Sequence, residues 1–201
     1  MKKVLFLVAI LSLSVFSTAC INNLAVQELN NKALDYMKKG DYENAISRLK
    51  SSADLDSSIF ETQYNLAVAY TENDDYEEAV GAFKKAEELN EKSADVFYSR
   101  AVMYENYAKD FFKGETKKQQ EALKEEALND ENENVSKNDF EEFVPSEEDK
   151  NKTVELYNNS ISDYEKYLEF SENANDNAEV QSKIEQIKAV IQSIETGVDT
   201  N

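Results

Sequence analysis

Few residues in this chain could carry chemistry. There is no His and no Trp, one Cys, one Pro and four Gly. Without His, a Ser or Cys nucleophile lacks its usual base, and no imidazole is available for a metal or a neutral-pH switch. One Cys makes neither an internal disulfide nor a thiolate zinc site. Four isolated Gly build no phosphate-cradling loop. Carboxylates, in contrast, abound: 41 acidic side chains face 22 basic ones, a formal charge of −19. Two carboxyls about 5–9 Å apart could hydrolyse a glycoside, but no spacing singles out a pair. Asp130, Asn132, Asn134 and Glu141 occupy positions 1, 3, 5 and 12 of a calcium-type loop, with oxygens suited to Ca²⁺. Val135 stands where such a loop needs Gly, and Lys137 where it needs an apolar residue, so the segment reads as a solvated acidic linker. Sequons at Asn134, Asn151 and Asn158 read as coincidence in an Asn-rich chain. The negative charge repels phosphate backbones, so nucleic acid is not an expected partner. These absences point to a helical binding protein. Neither an enzyme, a metal nor a cofactor is expected.

The single thiol has a distinctive position. Lys2 and Lys3 precede an apolar stretch from Val4 to Phe16, and Ser17-Thr18-Ala19 leads into Cys20. This is the layout of a secretory signal peptide over residues 1–19. The apolar stretch is shorter than the ~20 residues a spanning helix needs. The junction resembles the lipobox of bacterial lipoproteins, in which the Cys becomes the lipidated first residue. Ala19 and Thr18 fit that pattern; Ser17 departs from it, and Ser17-x-Ala19 also suits ordinary signal peptidase. Both routes cut before Cys20. Lipidation at Cys20 is favoured, because otherwise an unpaired thiol would be exposed. The resemblance implies a lipid-anchored protein of the bacterial cell envelope. Ile21 after the Cys favours the outer membrane where one exists.

The chain then repeats itself at a shift of 34. Ala33, Ala67 and Ala101 align, as do Tyr36, Tyr70 and Tyr104, Asp41-Tyr42 and Asp75-Tyr76, Ala45 and Ala79, and Leu49 and Phe83. Apolar residues recur at helical spacing, which predicts two helices per unit. In the second unit these are about Ile59 to Asn73 and Asp75 to Asn90. A small Ala lets the first helix approach its neighbour, and Gly40 or Asn73-Asp74-Asp75 supplies the turn. One hairpin cannot bury its own apolar face, whereas stacked hairpins can. Tyr64-Asn65-Leu66-Ala67-x-Ala69-Tyr70 through Asp75-Tyr76-x-x-Ala79-Val80-x-x-Phe83-x-x-Ala86 resembles the tetratricopeptide repeat. The first unit, about Leu24 to Ser57, matches with Ser52 in place of the last Ala. The resemblance implies an all-α, right-handed solenoid of antiparallel helix pairs.

The third unit is interrupted. Ala94 to about Lys109 is in register as its first helix, but the second helix does not follow. Its pattern returns at Ser160 to Phe170. Tyr70 and Ala79 are 9 positions apart, Tyr104 and Ser160 are 56 apart, so about 47 residues intervene. The expected organisation is therefore two units and one further helix over 20–108, an acidic insertion over 109–150, and the returning helix with a capping helix over 151–201. Within the insertion, Thr116 to Leu128 suits a helix, and Asn129 to Glu148 a flexible loop holding Phe140 and Phe143. Pro145 before Ser146-x-x-Asp149 marks a helix start running to about Phe170. A last helix from near Asp176 carries Val180, Ile184, Ile187, Ile191 and Ile194 on one face and ends at Gly197.

By resemblance, the first helices of the units line a groove that binds a partner segment. In register it holds Asn30, Leu34, Met37, Tyr64, Val68, Tyr98 and Val102, flanked by Glu61 and Asp95. The family's basic clamp for a C-terminal carboxylate is missing: Asn65 matches, but Asp95 and Ser99 stand where Lys and Arg are needed. The expected function is a membrane-tethered interaction or scaffold module binding a protein or peptide partner. The alternative is a binder of an apolar small molecule or lipid in a groove roofed by the insertion. In a third reading, the insertion or the long third-unit helix occupies the groove itself.

Overall fold

The computed structural model describes residues 23–122, 144–172 and 174–197, with only the backbone of 174–176. The leader, Cys20, the calcium-type residues Asp130, Asn132, Asn134 and Glu141, and Phe140 and Phe143 lie outside the described residues. Among the described residues the structure is all-α, with no strand. The helices are α1 (23–37), α2 (Tyr42–Leu55), α3 (Phe60–Glu72), α4 (Tyr76–Leu89), α5 (Ala94–Lys113), a helical segment α6 (117–122), α7 (Glu147–Phe170) and α8 (Ala174–Thr196). The chain divides into two units. One comprises Met1–Asn73 with Gly81–Glu91, the other Asp74–Val80 with Lys92–Asn201.

In the first unit the turn chemistry is local. Gly40 adopts φ +72°. Its N–H donates to Met37 O and the next N–H, of Asp41, donates to Tyr36 O. That is a Schellman stop, and only Gly takes this conformation without strain. Asp41 then caps α2 by accepting from the N–H of Asn44. Ala33, Ala45 and Ala67 are fully buried, as are Leu49 and Phe83. The small side chains allow close helix approach, and the large ones fill the space beside them.

The second unit is centred on α5 and α7, which pack directly against each other, with α8 on α7. Its core gathers Phe97, Ala101, Ala108, Leu156, Tyr157, Ile161, Tyr164, Tyr167, Val180, Ile184 and Ile187. Helix α5 runs four residues beyond the expected Lys109. Phe111 packs on the core, and the stop is Gly114 at φ +72°, whose N–H meets Phe111 O while Glu115 N–H meets Asp110 O. This is a second Schellman motif. Residues 109–113 thus continue a helix of the unit. Helix α7 starts at a capping box: Ser146 Oγ accepts from Asp149 N–H, and the Asp149 carboxylate accepts from Ser146 N–H. Helix α8 begins two residues before the expected Asp176 and ends at Gly197, φ +65°, bonded to Ser193 O. Among the described residues no helix is long and apolar enough to cross a membrane.

Candidate functional site

In the first unit, the proposed groove residues lie on two adjacent helices, α1 and α3. Asn30 establishes that adjacency. Its Nδ2 donates to Ser52 Oγ at 2.8 Å, to Thr62 Oγ1 at 2.9 Å and to Val26 O at 2.9 Å. Ser52 and Thr62 are fully buried and sit 3.2 Å from each other. Asn30 is therefore committed to a polar clasp joining α1, α2 and α3. One turn on, Leu34 is 37% exposed. Met37, Tyr64 and Val68 are half-buried. The Tyr64 ring stacks on Phe60 with centroids 5.9 Å apart and meets Phe83 edge-on. Leu34 and Met37 on α1, and Tyr64 and Val68 on α3, are thus partly exposed aliphatic and aromatic groups on helices joined by the clasp, and Glu61 of α3 is exposed.

In the second unit, Tyr98 and Val102 of α5 pack against the core. The Tyr98 ring meets Tyr164 edge-on at 5.8 Å and lies 5.2 Å from Tyr167, both on α7. Here the long helix α7 shares the surface of the groove positions. Between them in sequence stands Arg100, which forms a buried ion pair. Arg100 Nε and Nη2 grip the two Asp163 oxygens at 2.6 and 2.8 Å, with the side chains only 10% and 5% exposed. The guanidinium also lies 5.6 Å from the Phe97 ring centre. Ser160 Oγ donates to Ala101 O at 2.8 Å, and Tyr164 OH to Glu105. These bonds join the two helices that the insertion separates in sequence.

Several half-buried tyrosines are shifted by their surroundings. Burial pushes the Tyr157 phenol up to about 12, with Glu105 and Asp110 adding to the shift. Burial raises Tyr164 further, reinforced by Glu105. Tyr76 is raised by burial and by its bond to Asp110 while its ring stacks on Tyr107. All are held neutral; Tyr76 and Tyr164 donate to carboxylates, and Tyr157 packs in the core. A cavity of about 710 Å³ lies over Tyr76, Tyr107 and Phe111, walled by Asp75, Lys117 and Lys152. Lys117 pairs with Asp75 at 2.7 Å and Lys118 with Glu77 at 3.3 Å. Among the described residues no group of three metal-ligating side chains converges. Asn151 and Asn158 are exposed on α7.

Residues 60–93 match the tetratricopeptide repeat. That span is α3, α4 and the turn after them. No curated protein matches the chain. Among solved structures, it is similar to MamA, at 19% identity, with 86% of this chain and 81% of that one covered and a TM-score of 0.42. It is also similar to a protein from Bacteroides ovatus described as a protein binding protein, at 14% identity, 83% and 98% coverage and a TM-score of 0.22. Tetratricopeptide repeats are in general protein-interaction scaffolds, and the matched hairpin supports a coarse reading of this chain as an interaction module.

Three residues escaped the sequence reading: Thr62, Arg100 and Asp163. Two signals were present. Arg100 is one of only two arginines, and it stands in register with Leu66, so a cation replaces a core Leu. Arg is the residue suited to bidentate pairing in a core. Ser52 in place of a small apolar residue likewise signalled a hydroxyl in need of a partner.

Proposed function

We propose that this chain is a lipid-anchored interaction module of the bacterial cell envelope, which captures a partner segment on the α1–α3 face. The observation that carries the proposal is the partial exposure of Leu34 and Met37 on α1 and of Tyr64 and Val68 on α3, helices that the Asn30–Ser52–Thr62 clasp holds together. Partial exposure of aliphatic and aromatic groups on a rigid support is what a hot spot needs. The clasp keeps the site formed before binding, which lowers the cost of ordering. A tether at Cys20 is supported by Lys2, Lys3, the apolar stretch and the small residues before the Cys. More than one acyl chain anchors stably without a spanning helix.

The test is a crosslinked pull-down from native membranes with wild type and Leu34→Glu/Val68→Glu. Neither side chain is fully buried, so the variant keeps the fold, checked by circular dichroism. A partner at near-equal stoichiometry that is lost in the variant supports the face. The same partner retained refutes it. For the anchor, Cys20→Ser should release the protein from the membrane fraction; unchanged fractionation and no incorporation of labelled fatty acid into wild type would sink the tether.

A further inference from the structure

We propose a second docking site, in the second unit, for a basic segment of a partner protein, with one Lys or Arg side chain seated over aromatic rings. The site is the cavity of about 710 Å³ at the starts of α4 and α7, with α6 as its third wall. That volume holds several side chains. Its floor is aromatic. Tyr107 and Phe111 of α5 are half-buried and line the cavity, so each keeps part of its ring towards it. The Tyr107 ring stacks on Tyr76 with centroids 4.9 Å apart and meets Phe111 edge-on at 6.1 Å. The face of such a ring carries partial negative charge and attracts an ammonium or a guanidinium group.

The charge around this floor decides the class of partner. Lys117 pairs with Asp75 and Lys118 with Glu77. Lys152 pairs with Glu155, which does not line the cavity. Asp74, Glu78, Glu121, Glu148 and Asp149 line it as well. Asp74 accepts from the Tyr76 hydroxyl and Asp149 from Ser146, neutral donors that leave the charge in place. Among the described residues, Glu78, Glu121 and Glu148 are exposed and form no ion pair. Among the described lining residues, carboxylates thus outnumber ammonium groups by four. The N-terminal ends of α4 and α7 carry roughly half a positive charge each, so about three negative charges remain. Burial, and after it Glu77 and Glu155, raises the Tyr107 phenol, so the negative field reaches the floor. An acidic segment would be repelled, whereas a basic one is drawn in by the surplus and by the overall charge of −19. A contact of this kind sets partner choice and association rate more than raw affinity.

The probe is a fluorescein-labelled octapeptide of Arg, Lys, Leu and Gly, capped at both ends, titrated with the full chain by fluorescence anisotropy. Saturable binding is expected, weakened by added salt and by about tenfold in Glu78→Gln/Glu121→Gln/Glu148→Gln. Glu43→Gln/Glu88→Gln/Glu91→Gln removes the same charge from exposed positions of the first unit, and should bind within about twofold of wild type. Phe111→Ala should weaken binding too; if that variant fails to fold, the carboxylate variants alone decide. Leu34→Glu/Val68→Glu should leave it unchanged, which separates this site from the α1–α3 face. Any of three results overturns the proposal: no saturation at millimolar protein, equal binding of the peptide with Glu in place of its basic residues, or a cavity variant that loses no more than the first-unit variant. Spermine saturating the cavity while the peptide does not would also overturn it, by assigning the cavity to a small polycation. So would peptide binding that appears only when residues 123–143 are replaced by a Gly-Ser linker, by assigning the cavity to the chain's own segment.

Discussion

Asp163→Asn should be the most damaging single-atom change in the second unit. It removes the charge that neutralises Arg100 and keeps the side-chain shape. The pair is bidentate at 2.6 and 2.8 Å, with the two side chains 10% and 5% exposed. Water therefore cannot replace the lost partner. An unpaired buried cation costs about 3–5 kcal/mol, whereas replacing both members by apolar residues is neutral or stabilising. At about 2–4 °C per kcal/mol for a chain of this size, the midpoint falls by about 6–20 °C. The assay is thermal and urea unfolding followed by circular dichroism for wild type, Asp163→Asn, Arg100→Met and Arg100→Met/Asp163→Leu. The double variant should recover most of the loss. Two results would refute the reasoning. One is a single variant within about 0.5 kcal/mol of wild type, the range of an ordinary surface change. The other is a double variant at least as damaged as the sum of the singles, which would assign the loss to packing on Phe97 and not to the stranded charge.

Three further outcomes follow from the geometry. Thr62→Val removes the hydroxyl shared by Asn30 and Ser52 at constant volume, and should cost about 1–3 kcal/mol in urea melts because buried partners are left unsatisfied; a neutral result would mean that the clasp is not buried in solution. Ser146→Ala deletes the capping box of α7 and should cost about 1 kcal/mol, with faster amide exchange confined to the first turn of α7; protection unchanged there would count against the cap. Tyr157 titrates from a folded value of about 12 against an unfolded value of about 10, with Tyr76 and Tyr164 shifted the same way. A raised folded value means that the folded state holds its proton longer, so the stability is fully present below pH ~10 and lost as pH rises towards 12. Absorbance at the phenolate band should show these tyrosines ionising only with unfolding; a full tyrosine titration near pH ~10 with the helix content intact would contradict it.

The legible part of the fold is the part encoded locally. Gly40 and Gly197 announce their turns, Ser146-x-x-Asp149 announces its cap, and the period of 34 announces helix pairs with a small Ala at each close approach. Each signal lies within a few residues of the structure it specifies. The illegible part depends on distance along the chain. Arg100 and Asp163 are 63 positions apart, and Asn30 meets Thr62 across 32. No periodicity reports such a pairing, although a lone Arg in a Leu register position hinted that something must receive it. The end of α5 was misplaced for a related reason. Beyond Lys109 the repeat pattern fails, yet Phe111 still finds a core on α7, and packing carries the helix on to Gly114. For the candidate site, sequence register could not tell that Asn30 is spent on a clasp or that Tyr98 rests against Tyr164 and Tyr167.

The long connection between α5 and α7 explains why the second unit holds its charged pair. A turn of four residues joins α1 to α2, whereas α5 ends at Lys113 and α7 begins at Glu147. Lengthening a connection roughly eightfold costs about 2 kcal/mol of closure entropy, because each doubling adds only about 0.6. Burial of one large aromatic such as Tyr164 offsets that amount. The insertion is thus thermodynamically cheap. What it removes is register, because a short turn fixes which residues of two helices meet and a long one does not. An apolar interface of Phe97, Ala101, Leu156 and Ile161 could slide by a helical turn at modest cost. Arg100 with Asp163 and Ser160 with the Ala101 carbonyl cannot slide without stranding a charge and a hydroxyl in the core. The polar contacts between α5 and α7 supply the alignment that a short turn provides in the first unit. On this argument the double apolar variant is the decisive protein: it should keep its melting temperature while its α5–α7 pairing loses uniqueness, seen as exchange-broadened amide resonances around Ala101 and Ser160.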